Sequence, residues 1–158
     1  MSSLYGYRES DRVLLTGNWP PGELLAAPLT GRPALAEPVR VQPPRSCSDE
    51  RLYLTSAGGF VRFVEVDWVV RRARLEIGLQ EEARAVVADV LAEAVAVAAD
   101  ALGLRRLYGW LTPTVPGQAA VVAAAEAVGF RREATVPQAL WHAGEAVDRD
   151  LWGIVHDD

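Results

Sequence analysis

Residues 74–90 read RLEIGLQEEARAVVADV, and the change of pattern inside that stretch decides how the rest of the chain is read. RLEIGL (Arg74 to Leu79) reads as a strand. From Glu81 the chain becomes rich in Ala, Val and Leu and runs to Leu102 without Gly or Pro, which reads as a helix. Glu82, Asp89, Glu93 and Asp100 are spaced 7, 4 and 7 residues apart, so they share one helical face. The remainder is apolar, the pattern of a helix buried on most sides. Gly103 supplies the residue that ends it.

On the N-terminal side, RLYLTS and GFVRFVEVDWVV read as two strands joined by a turn at Ala57-Gly58-Gly59. In the second, Phe60, Arg62, Val64 and Val66 fall on one face and Val61, Phe63, Glu65 and Asp67 on the other. On the C-terminal side, RRLYGWLTP reads as a strand ended by Pro113. TVPG then leads to a second helix, Gln118 to Val128, stopped by Gly129. Arg131 to Val136 reads as a strand, and ALWHAGEAVDRDLWGIV as a hairpin turning at Ala143-Gly144-Glu145. The order of strands, helix, strand, helix, strands is that of an α+β (mixed α/β) layer, with helices on a largely antiparallel sheet.

Residues 1–50 differ. Seven of the ten prolines lie between Pro20 and Pro44, and proline fixes φ and removes a donor, so an irregular segment of the same domain is expected, with short strands at Val13–Thr16 and Val39–Gln42. Residues 51–158 form the α/β core.

The composition narrows the function. All sixteen basic residues are arginine, which excludes a Schiff-base lysine and a P-loop lysine. A net charge of −5 argues against nonspecific nucleic-acid binding. The basic pairs at residues 71–72, 105–106 and 131–132 read as solvated strand ends. Cys47 is alone, and His142 and His156 lack metal-ligand spacing, so no metal is expected. MSSLYGYRESDR has neither a basic start nor an apolar stretch of a secretion signal, and Val86 to Leu102 is interrupted by three carboxylates. A cytoplasmic protein, off the membrane, is the expectation.

Four runs carry a family resemblance: ARLEIGL (Ala73 to Leu79), LGLRRLYGWLTP (Leu102 to Pro113), AAAEAVGFRREA (Ala123 to Ala134) and VDRDLWGIV (Val147 to Val155). In this order, over about two thirds of the chain, they resemble the GNAT acyltransferases, in particular the ribosomal-protein and small-molecule N-acetyltransferase branch. The resemblance implies that two strands, Arg74–Leu79 and Arg106–Leu111, splay apart to admit the pantetheine arm of acetyl-CoA or another acyl-CoA. The backbone at Ile77, Gly78 and Leu79 would bond that arm and polarise the thioester. The pyrophosphate would lie at the start of the long helix, near Ala83, Arg84 and Ala85, and Gln118 would contact the cofactor where the family usually has Asn.

The chain departs from the family pattern at that helix start. Ala83 stands where the family pattern has glycine, Ala85 stands where it has glycine or alanine, and Glu81 and Glu82 put negative charge into the field that a pyrophosphate would occupy. The Tyr that protonates the departing thiolate in many relatives is Ala125 here.

Acyl transfer to an amine needs a route for the ammonium proton. Glu76 is a candidate base and Tyr108 a candidate acid. Glu65 and Asp67, on one strand face, and His142, in the final hairpin, are candidates for substrate binding. The simpler readings are a solvent-facing strand carboxylate for Glu76, exposed carboxylates for Glu65 and Asp67, and a turn-proximal surface residue for His142. Trp68, Trp110, Trp141 and Trp152 read as core or sheet-face aromatics, and Trp19, next to Pro20, as the tryptophan that would serve a partner or ligand. The expected acceptor is a small-molecule amine or a protein N-terminus, and the apolar last hairpin makes a homodimer possible. Two alternatives stand beside this: an inactive GNAT-fold binding or dimerisation module, and an acyltransferase fed by a carrier-protein thioester.

Overall fold

The computed structural model describes residues 4–15, 23–26, 49–80, 85–112, 118–142 and 144–157. In chain order these hold β1 (Leu4–Gly6), a 3-10 helix (Glu9–Leu15), β2 (Leu25–Ala26), β3 (Arg51–Thr55), β4 (Gly59–Asp67) and β5 (Arg72–Leu79). Then follow α1 (Val87–Ala96), β6 (Arg106–Leu111), α2 (Gln118–Ala127), β7 (Arg131–His142) and β8 (Glu145–Val155). The strands form one eight-stranded sheet in the order β1-β3-β4-β5-β6-β8-β7, with β2 paired to β5. Most pairs are antiparallel; β5 with β6 and β2 with β5 are parallel. The α+β architecture expected from the sequence is the one observed.

Strand alternation places Ala73, Leu75 and Ile77 of β5 and Leu107 and Leu111 of β6 on the face covered by both helices. Val90, Leu91, Ala94, Val95 and Ala98 answer from the first helix, and Val121, Ala124 and Ala125 from the second. A smaller cluster of Leu15, Leu52, Leu54 and Phe60 lies under the 3-10 helix on the other face.

Several local expectations are corrected. Val13 to Leu15 belong to the 3-10 helix and form no strand; Val39–Gln42 lies outside the described residues. The two-residue β2 had no sequence signal. β4 stops at Asp67 because the Asp67 carboxylate accepts the N–H groups of Val69 (3.0 Å) and Val70 (3.1 Å) and folds the chain into a turn. Trp68, Val69 and Val70 are therefore exposed. Trp141 is exposed too, Trp152 is buried, and Trp110 is half-buried.

The alternation of β4 also breaks. Register shifts between Val64 and Asp67, where Glu65 has φ 53°. A bulge adds one residue to one strand, so Val66 joins Val61 and Phe63 in the main core instead of Phe60 and Arg62.

The long helix differs as well. Residues 81–84 lie outside the described residues, Ala85 and Val86 form a 3-10 turn, and α1 passes into a π-helical turn at Val97–Ala101. Ala88, Ala92 and Ala96 are exposed beside Asp89, so the buried stripe is narrower than the charge spacing indicated. Alanine needs no burial to favour a helix. Glu93 is not a solvated charge: its carboxylate accepts the Leu4 N–H at 2.7 Å and ties β1 to α1. Gly103, with φ 65°, ends the helix in the left-handed region. Arg131–Val136 and the first arm of the last hairpin are one strand, β7, with register shifts at residues 132–134 and 136–140. Of the basic pairs, Arg71 donates to the Gly103 carbonyl at 2.6 Å and Arg106 pairs with Glu133, so neither is a free strand end.

Candidate active site

β5 and β6 run parallel and pair through Arg72↔Arg106, Ala73↔Leu107 and Arg74↔Tyr108. Beyond that point the rims are bridged by a third segment. The Leu24 N–H donates to the Trp110 carbonyl at 2.7 Å, and the Leu24 carbonyl accepts the Ile77 N–H at 3.1 Å. Glu23 bridges Trp110, Leu25 pairs with Ile77, and Ala26 with Gly78. The two strands thus part after Tyr108, and residues 23–26 lie between them.

Leu24 is fully buried in the main core. It enters there because residue 109 has no side chain: a Cβ on Gly109 would lie 2.9 Å from Leu24 Cβ and Cδ1 and 3.0 Å from the Leu75 carbonyl. Glu23 projects from the opposite face of the segment and is also buried. Its carboxylate accepts the Thr112 N–H at 3.2 Å and the Thr112 hydroxyl, and pairs with Arg149 Nη2 at 3.2 Å. The Arg149 guanidinium lies 5.3 Å over the Trp110 ring.

Burial pushes the Glu23 carboxyl above its usual range, against the opposing pull of Arg149 and the Thr112 donors. Burial pulls Arg149 down, and Glu23 and the more distant Glu76 act against that while Arg74 adds to it. A carboxyl with a raised pKa in place binds its proton more readily there than when released. The contact is therefore strongest at low pH and weakens as pH rises from the ordinary carboxylate range through the raised value. Hydrogen exchange at the Leu24 amide, corrected for its intrinsic pH dependence, is expected to lose protection over that window. Glu23→Gln should flatten the profile.

On the face of Glu23, away from the helices, a second polar group forms. Arg62 Nε bonds one Glu76 oxygen, and Arg74 holds the other at 3.0 Å from Nη2 and 3.2 Å from Nε. Arg74 Nη1 also reaches Glu65 at 2.9 Å, and the Tyr108 hydroxyl donates to the other Glu65 oxygen at 2.8 Å. Burial, and then the Glu65 carboxylate, raises the Tyr108 pKa, so the phenol keeps its proton at neutral pH. Beside it Arg106 pairs with both Glu133 oxygens (2.7 and 2.6 Å), and the hydrogen bond from Arg106 holds Glu133 below its usual range. Gly153 opposite leaves room for the Glu133 carboxylate.

Glu76, Tyr108 and Glu65 are thus brought together, through Arg74, which sequence reading did not single out. The register Val64↔Arg74 and Arg62↔Glu76 across β4 and β5 is what reveals it. Glu76 is buried rather than solvent-facing. Asp67 does not join Glu65, since its carboxylate serves the turn. Ile77 and Leu79 are buried with Gly78 in β5. Ala85 is exposed in the 3-10 turn before α1, while Ala83 and Arg84 lie outside the described residues. Gln118 opens α2, and His142 ends β7 paired with Glu145. Ala125 is fully buried in the core, and its methyl side chain has no proton to give. Among the described residues no group of three His, Cys, Asp or Glu side chains could hold a metal, and no helix is long and apolar enough to cross a membrane.

The chain superposes on a variant of spermidine N-acetyltransferase SpeG from Vibrio cholerae with a TM-score of 0.73 and 15% identity, over 98% of this chain and 93% of that one. The fold is that of the GNAT acetyltransferases. The Vibrio cholerae enzyme in complex with CoA and spermine matches at a TM-score of 0.68 and 14% identity, over 98% and 95% of the two chains. A probable acetyltransferase matches at 0.57 and 16%, over 67% and 62%. No protein-family model matches the sequence, and no curated protein sequence does.

The resemblance to GNAT sequences implied a pantetheine arm between β5 and β6. As described, the gap does not fit one. The Ile77 N–H and the Trp110 carbonyl that face it are both taken by Leu24, and the Leu24 side chain fills the space beside Gly109. An acyl-CoA and residues 23–26 cannot hold this gap together.

Proposed function

We propose that this chain is an N-acyltransferase that moves an acetyl or other acyl group from a CoA thioester to an amine. The observation that carries the reading is the parting of β5 and β6 after Tyr108 within a GNAT fold. It sets a main-chain donor at Ile77 and an acceptor at Trp110 across a gap that Leu24 bridges.

Tyr108 lies at the last β5–β6 pair before the gap opens, and its hydroxyl is bonded to the half-exposed Glu65. This pair supplies a proton at the gap and a carboxylate leading outward to solvent. Glu76 is less suited to be a base, because both its oxygens are occupied by guanidinium groups. The four carboxylates of Glu23, Glu65, Glu76 and Glu133 each have an arginine partner. That balance favours an acceptor with a single amine, a small molecule or a protein N-terminus, over a polyamine.

The test is calorimetric titration with acetyl-CoA, with 3′-dephospho-CoA as control, followed by a thiol-release screen of amines. Binding that weakens without the 3′-phosphate, and turnover with at least one amine, are expected. Tyr108→Phe should then lower kcat about 100-fold, the low end for loss of a positioned acid, with KM for the donor little changed. Absence of heat at millimolar acetyl-CoA, from folded protein whose residues 23–26 have been released, would remove the reading. A second reading, a GNAT-fold binding module without catalysis, is favoured by one observation, the filled gap itself.

A further inference from the structure

We propose that residues 23–26 are an internal competitor for the acyl-donor gap, a strand that must leave before a thioester donor can enter. The inference rests on the acyl-donor reading of that gap. A pantetheine arm carries two amide groups, so an extended peptide can satisfy the same two rims with the same kinds of bond. Leu24 does this on both sides at once, one bond to each strand. Its side chain anchors the segment in the core beside Gly109, and Glu23 latches it through Thr112 and Arg149.

The rest of the sheet does not depend on this strand. β5 is held along its length by β4, from Gly59↔Leu79 to Asp67↔Arg72. β6 is held from Arg106 to Leu111 by β8. The three β5–β6 pairs up to Arg74↔Tyr108 close the narrow end of the gap without residues 23–26. A regular strand of two residues between such neighbours can be withdrawn while the architecture stays.

The full-length chain, its Leu24→Asp variant and its Glu23→Ala variant would be titrated with acetyl-CoA. Hydrogen exchange at the Leu24 and Ile77 amides would be followed in the wild type with and without donor. Expected is at least 10-fold tighter donor binding by Leu24→Asp, a smaller gain by Glu23→Ala, and loss of Leu24 protection when donor saturates the wild type. Equal affinities in all three proteins, or Leu24 still protected in the donor-bound wild type, would overturn the competition and leave donor binding intact. No binding by any of the three, with the Ile77 amide of Leu24→Asp exchanging freely and so showing the segment released, would overturn the acyl-donor reading and the competition with it. Should Leu24→Asp fail to fold, Glu23→Ala and the wild-type exchange decide, since neither places a charge in the core.

Discussion

The Arg149→Ala variant is expected to exchange its Leu24 and Ile77 amides at least about a hundred times faster than the wild type, while its melting temperature changes little. Removing one partner of a buried ion pair costs about 3–5 kcal/mol, because the charge left behind has lost its compensation. Here the charge left behind is Glu23, whose remaining donors both come from Thr112. Glu23 sits on a short segment that can move to water, so the penalty falls on local opening and not on global unfolding. Exchange mass spectrometry or NMR would read the opening, and calorimetry the melting. The difference from wild type should shrink as pH falls through the raised Glu23 value, since a neutral carboxyl needs no guanidinium. Unchanged exchange at both amides would mean that Leu24 and Thr112 hold the segment without help from Arg149.

Phe63→Ala should do the opposite, lowering global stability and leaving residues 23–26 no looser than the rest. Phe63 is fully buried in the main core and meets the Tyr53 ring edge-on, with centroids 6.0 Å apart. Truncating a buried Phe costs about 3–5 kcal/mol through lost burial and the cavity left behind. For a chain of this size each kcal/mol is worth roughly 2–4 °C, so the melting temperature should fall by roughly 6–20 °C. A fall of under about 2 °C would mean that the strand relaxes to fill the space.

The sheet was legible where the sequence carried a period and a stop signal. β6, the second helix and the last hairpin each combine a run of fixed periodicity with a glycine or proline boundary, and they lie close to where they were expected, as does β5 from its apolar run alone. The first helix ends as expected before Gly103, with its α-helical part at Val87–Ala96. What escaped were features without a period. Glu65 breaks the alternation of β4 by one residue, and nothing in FVEVD marks a bulge. Trp68 and Trp141 look like core residues by type and are exposed because of the turn and the outer strand that hold them. The candidate site was partly visible: Tyr108, Glu65 and Glu76 were named from their strands. Arg74, which joins them, needed the β4–β5 register, and register is a property of two strands rather than one. Leu24 was invisible. Its segment is two regular residues long, and its partners lie far along the chain.

That distance bears on how the molecule is made. Strands β7 and β8 are neighbours in sequence and can pair as soon as both have emerged from the ribosome. Glu23, by contrast, waits for Thr112, 89 residues later, and the Leu4 amide waits the same interval for Glu93. Neither of these two contacts can close until the chain is past its midpoint, and such long-range closures are slow. Residues 23–26 are therefore made well before they can settle, inserted between β5 and β6 once those strands are in place.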